Sequence, residues 1–178
     1  MKPVYLLTGK PGTGKTSLIK EALAQTGVHA GGFYTEEISV QGVRQGFRLA
    51  TLGGQVAILA HVNIKSPHRV SKYGVDIDSL DRVGVSALEQ AAGECDLVVI
   101  DEIGKMELFS DKFRDAVLSL IDSSKRILGT IMLNPNPFAD AIKSKPQVNL
   151  VTLTRENREQ ALDELLRWLN VEHQHTSA

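Results

Sequence analysis

Residues 9–16 read Gly9-Lys-Pro-Gly-Thr-Gly14-Lys15-Thr16 and fit the pattern G-x-x-x-x-G-K-[ST] at every position. The pattern carries weight only between a strand and a helix, and the flanks supply both. Upstream, Pro3-Val-Tyr-Leu-Leu-Thr8 is a short, continuously apolar run of the kind found in a central parallel strand buried on both faces. Downstream, Leu18, Ile19, Ala22 and Leu23 recur at helical spacing, and Gly27 marks the stop. Such a loop cradles phosphate. Its glycines let the backbone turn N–H groups inward, and the following helix adds the positive end of its dipole. Gly9, Lys10, Pro11, Gly12, Thr13 and Gly14 are therefore expected to bind nucleotide, Lys10 and Thr13 through their backbone amides alone. Lys15 is placed to reach the β- and γ-phosphates, and Thr16 to put its hydroxyl on Mg²⁺.

A second motif answers the first. Cys95-Asp-Leu-Val-Val-Ile-Asp101-Glu102 is an apolar strand ending in two carboxylates. A strand of this type delivers its terminal acids to the carboxyl edge of the sheet, where open α/β folds bind ligands. Asp101 is placed to hold the Mg²⁺ shell, and Glu102 to orient or deprotonate an attacking water. The expected nucleotide-contacting set here is Asp101, Glu102, Ile103, Gly104 and Lys105. Lys105 reads equally well as a ligand of the γ-phosphate and as a solvated lysine. Asp101-Glu-Ile-Gly104 also fits the D-x-x-G of GTP switches, but the guanine-reading N-K-x-D is absent. That disfavours a GTP-specific switch without excluding GTP as one substrate.

Around these motifs the pattern alternates. Gly32–Ile38 and Gly46–Thr51 read as strands joined by a turn at Gln41-Gly42, with a third strand at Val56–Val62 after Gly53-Gly54. Residues 63–77 read as an irregular loop. Helices are expected at Ser79–Ala92, after an N-cap at Ser110, at Pro137–Lys143 and after a cap at Thr154, with strands at 126–133 and 149–153. The fold class is α/β: a mostly parallel sheet, helices on both faces, and an antiparallel hairpin after the first helix. Residues 1–170 make one domain and 171–178 a flexible polar tail.

With 178 residues the chain is long enough for one core without staples. Its net charge of −1 and 5% aromatics argue against a dedicated nucleic-acid binder, which needs a positive field and stacking platforms. One local basic group, Lys65, His68, Arg69 and Lys72, keeps a nucleic-acid-stimulated ATPase among the alternatives. No apolar run nears the roughly 20 residues that cross a bilayer. The single cysteine, Cys95, suits a reducing compartment. The expectation is a cytoplasmic monomer without membrane or nucleic-acid partners.

Other polar residues carry less. Glu36 and Arg44 read either as a cross-strand ion pair or as a wall of the site, and Glu37 as a surface pair. Arg48, Arg69 and Lys72 are the cations near the long loop, and spacing does not say which, if any, steadies a transition state. Thr130 reads as a buried β-branched residue in preference to one presenting its hydroxyl to the γ-phosphate, and Asn157 and Arg158 as capping groups or neighbours of a base or ribose. His29, His61, His68, His173 and His175 show no transition-metal spacing.

Several strings then coincide: the loop 9–16, Gly31-Gly-Phe-Tyr-Thr-Glu-Glu-Ile38, Gly42-Val-Arg-Gln-Gly-Phe47, Tyr73-Gly-Val-Asp76, and Val99-Ile-Asp-Glu-Ile-Gly-Lys-Met-Glu-Leu108. Together they resemble the THEP-type nucleoside-triphosphatases, also called cancer-related nucleoside-triphosphatases. The resemblance implies a P-loop fold of the additional-strand, catalytic-glutamate division, akin to RecA cores. It implies slow, Mg²⁺-dependent hydrolysis of ATP, GTP and other nucleoside triphosphates, and maps the family's roles onto Lys15, Thr16, Asp101 and Glu102. A nucleotide or small-molecule kinase on the same scaffold is the other alternative. Leu133-Asn-Pro-Asn-Pro-Phe138 matches the family only loosely.

Overall fold

β1 (Val4–Thr8) is buried along its whole length, as its unbroken apolar run predicts. Its side chains alternate between two cores. Val4 and Leu6 join one, Tyr5 and Leu7 the other. β7 (Leu97–Ile103) divides in the same way, with Val98 and Ile100 on the first face and Leu97 and Val99 on the second. The structure is a computed structural model and describes residues 1–171; the expected tail, with His173 and His175, lies outside the described residues from 172 onward.

Helices close both faces. α1 (Lys15–Thr26) and α6 (Arg158–Asn170) cover the Tyr5 side through Leu18, Ile19, Leu165 and Trp168. α3 (Ser86–Glu94), α4 (Asp111–Asp122) and α5 (Pro137–Lys143) cover the other through Leu88, Phe113, Val117 and Ile142. Their ends follow the sequence signals. Gly27 adopts a left-handed conformation after α1, Ser110 accepts from the Phe113 amide, and Asn136 accepts from the Phe138 and Ala139 amides ahead of Pro137. Thr154 and Asn157 exchange backbone-to-side-chain bonds of 3.2 and 2.8 Å in the reciprocal manner of a capping box, one turn ahead of α6.

Among the described residues the sheet has nine strands, in the order β5 (Arg69–Val70), β6 (Tyr73–Val75), β4 (Val56–His61), β3 (Val43–Thr51), β2 (Ala30–Val40), β7, β8 (Ile127–Ile131), β1 and β9 (Val148–Thr152). The strands β2, β7, β8, β1 and β9 run parallel. β8 lies between β1 and β7, so the strand leading into the loop and the strand ending in Asp101 are not neighbours. That is the additional strand the resemblance implies. β3 (Val43–Thr51) and β4 (Val56–His61) extend the sheet antiparallel, and Gln41 and Gly42 both take positive φ in the two-residue turn before β3.

Two readings need correction. Residues 63–77 are not wholly irregular: β5 (Arg69–Val70) and β6 (Tyr73–Val75) form a small hairpin, and β6 pairs with β4. Strands of two and three residues are too short to show an alternation. What seats them is tertiary, the edge-on contact of Tyr73 with Phe47 at 5.3 Å. The helix expected from Ser79 begins earlier, with one turn, α2 (Ile77–Ser79), capped by Asp76, then a π-helical stretch Leu80–Val85 before α3. A uniform 3.6-residue pattern does not register a π stretch. Among the described residues no helix is long and apolar enough to cross a membrane.

Candidate active site

The glycine loop leaves β1 and enters α1, with Gly12 and Gly14 at φ 79° and 86°. L-residues with a Cβ rarely hold such angles, so glycine at these points is a backbone requirement. Lys15 folds back over the loop and donates from Nζ to the carbonyls of Gly9 (2.9 Å) and Lys10 (3.1 Å). Thr16, one residue on, points the other way. Its hydroxyl donates to Asp101 Oδ2 at 2.6 Å, joining the two motifs across 85 residues of sequence.

The second oxygen of Asp101 is also taken. Thr130, fully buried on β8, donates to Oδ1 at 2.6 Å. The interposed strand thus supplies a hydroxyl that holds the carboxylate from the side opposite Thr16. Asp101 is 3% exposed. Burial pushes its carboxyl above the usual range, against the pull of the Thr130 and Thr16 hydroxyls and of Lys15 and Lys20. A cation placed here would reverse that push. The donors fit a hard divalent ion: a hydroxyl and a carboxylate in contact, both oxygen.

Glu102 follows through a cis peptide bond. Burial raises its carboxyl too, with the charge of Asp101 second and Lys15 opposing. The Glu102 side chain lies against Gly104, where a Cβ would stand 2.4 Å from Oε1 and 2.8 Å from Cγ. Gly104→Ala is therefore expected to push the Glu102 side chain aside from Cγ outward while the fold survives, because every atom in the way belongs to that side chain and none to the backbone. The expected result is turnover about 10–100-fold lower with an unchanged melting temperature, read by phosphate release and thermal unfolding.

These groups open on one cavity of about 550 Å³. Pro11, Gly12, Gly14, Lys15 and Thr16 line it from the loop, and Asp101, Glu102 and Lys105 from the end of β7. Of the other expected residues, Gly9 is buried, Lys10 is exposed, and Thr13 donates to the Lys10 carbonyl at 3.0 Å, all within the loop but off the cavity wall. Ile103 is fully buried in the core, so its side chain packs rather than binds.

Ser17, Phe47, Val70, Met106 and Glu107 also line the cavity, and the sequence gives none of them a role. Glu107 opens the 3₁₀ turn Glu107–Phe109 and is 3% exposed. Burial, then the Glu102 charge, raises its carboxyl well above the ordinary range. The one sequence signal was an acid alone inside the apolar Met106-Glu-Leu-Phe109. Thr35 also lines the cavity, beside Glu37.

The weaker candidates sort by geometry. Glu36 pairs with Lys20 (3.0 Å) and Arg48 (2.9 Å), which hold its carboxyl below the usual range, while Arg44 pairs with Glu37 at 2.6 Å. Of the two readings left open for Glu36 and Arg44, the ion pair holds for each, with Arg48 opposite Glu36 on the neighbouring strand and Glu37 as the partner of Arg44, and neither residue lines the cavity. Glu37, read as a surface pair only, is also cavity wall. Arg69 donates to the carbonyls of Ile64 and Lys72 and shapes its own loop. Neither Arg48, Arg69 nor Lys72 lines the cavity. Asn157 is used by Thr154 and the Thr152 carbonyl, and Arg158 by Glu21 at 2.8 Å. Burial pushes the Cys95 thiol up, as suits a packed thiol.

Comparison with known proteins agrees with this geometry. The model of the NTPase family matches residues 4–166. The nucleoside-triphosphatase THEP1 of Thermotoga sp. (strain RQ2) is 47% identical over 161 residues, covering 90% of this chain and 92% of that protein. The crystal structure of THEP1 from Aquifex aeolicus superposes with a TM-score of 0.86 at 36% identity, covering 93% of this chain and 98% of the other. The solution structure of a human cancer-related nucleoside triphosphatase gives 0.80 at 37% identity, covering 96% and 98%. A P-loop sheet with an interposed strand, two motifs meeting at Thr16 and Asp101, and relatives of this identity over nearly full length place the chain in the nucleoside-triphosphatase family of THEP1 and the cancer-related nucleoside-triphosphatases.

Proposed function

We propose that this chain hydrolyses nucleoside triphosphates to diphosphate and phosphate, with Mg²⁺ as its divalent cation, slowly and with broad tolerance of the base. The observation that carries the reading is the 2.6 Å contact of Thr16 with Asp101, beside Glu102 and in the cavity that Lys15 lines. The loop amides and Lys15 bind and orient the polyphosphate. Thr16 and Asp101 hold the cation, which when bound neutralises charge on the β- and γ-phosphoryl oxygens. Glu102 takes a proton from water as its oxygen bonds to the γ-phosphorus, and the bond to the β-phosphate oxygen breaks with its electron pair staying on the diphosphate. A raised carboxyl suits that task, since a base works best with its pKa near the ambient pH.

Slow turnover follows from the engaged arginines, because a transition-state arginine is worth about 10³–10⁵ in rate. Base tolerance follows from Asn157 and Arg158, whose polar groups serve the fold. Lys105 is the cation left to meet the γ-phosphate. We place the protein in the cytoplasm as a single-domain monomer, without nucleic acid. Its basic group supports that last point: Arg69 is bound to carbonyls, His68 stacks on Phe109 at 5.0 Å, and Lys72 lies over Tyr73.

The test is phosphate release from ATP, GTP, CTP and UTP with Mg²⁺, with chelator, and with RNA, DNA or acceptor alcohols added. All four are expected to be hydrolysed, the chelator to stop release, and the additions to change nothing. Release that appears only with an acceptor or a nucleic acid sinks the reading in favour of a kinase or a stimulated ATPase.

A further inference from the structure

Thr35 and Glu107 lie inside two of the strings that carry the family resemblance but have no role from it, and Thr35, with Glu107 behind it, meets the backbone at the point where the two acids begin. β2 pairs with β7 in parallel only from Ala30↔Leu97 to Phe33↔Ile100. On its other side β7 shifts register against β8 between Ile100 and Ile103. The peptide between Asp101 and Glu102 therefore lies where neither ladder is regular. A side chain has taken over. Thr35 Oγ1 lies 2.7 Å from the carbonyl oxygen of Asp101 and 3.5 Å from Glu107 Oε1.

The direction of these contacts follows from donor chemistry. A carbonyl oxygen only accepts, so the single hydroxyl proton of Thr35 points at Asp101. The lone pairs of Oγ1 then face Glu107. A carboxylate there would oppose lone pairs to lone pairs, whereas a donor there completes a chain of two hydrogen bonds. Glu107 is buried, and among the described residues no cationic side chain pairs with it. A neutral acid is the form that such a site accepts.

We propose that Thr35, backed by Glu107, is a positioning residue that fixes the plane of the Asp101–Glu102 peptide and so aims the Glu102 carboxylate at the γ-phosphate. The inference rests on Glu102 being the water-activating group. The Asp101 carbonyl belongs to the peptide from which Glu102 leaves, so rotation of that plane swings the carboxylate. Loss of the hydroxyl should then cost turnover and spare nucleotide binding, which the loop supplies.

The experiment compares Thr35→Val, Thr35→Ser, Glu107→Leu, Glu107→Gln and Glu102→Gln with the wild type, measuring kcat, KM, affinity for ADP by calorimetry, and melting temperature. Valine keeps the shape of threonine and removes only the hydroxyl. Thr35→Val is expected to lower kcat about 10–100-fold, the range typical of groups that orient a first shell, with ADP affinity and melting temperature unchanged. Thr35→Ser should recover most of the loss. Glu107→Leu should follow Thr35→Val, and Glu107→Gln, whose amide donates from the same place, should recover most of its loss.

Wild-type kcat in Thr35→Val, no recovery in Thr35→Ser, or a parallel fall of kcat, affinity and melting temperature would each overturn the role of Thr35. A Glu107→Gln variant as slow as Glu107→Leu would remove Glu107 from it. If Glu102→Gln itself turns over at the wild-type rate, the reading beneath fails and the positioning role goes with it. Inactive Glu102→Gln beside normal Thr35→Val fails the inference alone.

Discussion

Glu102→Gln is expected to bind nucleoside triphosphate as the wild type does and to hydrolyse it about 10²–10⁴-fold more slowly, the range a positioned general base supplies. The amide is nearly isosteric, so the side chain still rests against Gly104 and the cavity keeps its shape. What it lacks is a basic oxygen. Affinity should hold, because the groups proposed to grip phosphate lie on the loop, and one carboxylate fewer beside Asp101 lowers repulsion toward the triphosphate. Single-turnover phosphate release beside a binding titration separates the two effects. Hydrolysis at the wild-type rate would mean that another group activates the water.

Lys15→Ala is expected to lose both binding and turnover. A charged donor to phosphate is worth about 1.5–3 kcal/mol, or roughly 10–100-fold in affinity. Turnover should fall further, by about 10²–10³, if the ammonium also meets charge that grows in the transition state. Folding should be spared. The bonds from Nζ run to two carbonyls of the loop at a partly exposed position, where water can replace them. Nucleotide titration, kcat at saturation and the melting temperature report the three quantities in turn. Unchanged affinity would show that the loop backbone alone holds the polyphosphate.

The two variants differ in kind, and the structure says why. In the proposed mechanism Lys15 acts through charge, at a place the local chain builds by itself: strand, glycine loop and helix are contiguous. Glu102, in the same proposal, acts through direction, and the contacts that would set it come from elsewhere in the chain. Its peptide is tied by Thr35, 66 residues away in sequence, and its neighbour Asp101 by Thr16 and Thr130, 85 and 29 residues away.

This difference marks how far the sequence could be read. β1 and β7 were legible as unbroken apolar runs buried on both faces, and α1 and α4 because each is long enough for its apolar period to show and has a clear stop or cap, Gly27 and Ser110. The β5–β6 hairpin was not, because five strand residues carry no period, and the contact of Tyr73 with Phe47 that seats them is tertiary. Thr130 was legible as a buried β-branched residue or as a hydroxyl for the γ-phosphate; that its hydroxyl serves Asp101 instead depends on β8 lying beside β7. Glu36 and Arg44 stay open in the sequence for a related reason: which cation faces Glu36 depends on the register of β2 against β3, and the structure sets it as Arg48.

By itself the sequence determined the phosphate loop, the acidic strand end and the α/β class, since each is written in local spacing and local burial. Only the tertiary structure decided which hydroxyls hold Asp101, that Gly104 makes room for Glu102, and that Thr35 and Glu107 converge on the peptide between the two acids. The physical reason is that periodicity records which face of an element is buried, while a hydrogen bond between distant side chains depends on strand order and register, and no local pattern records those.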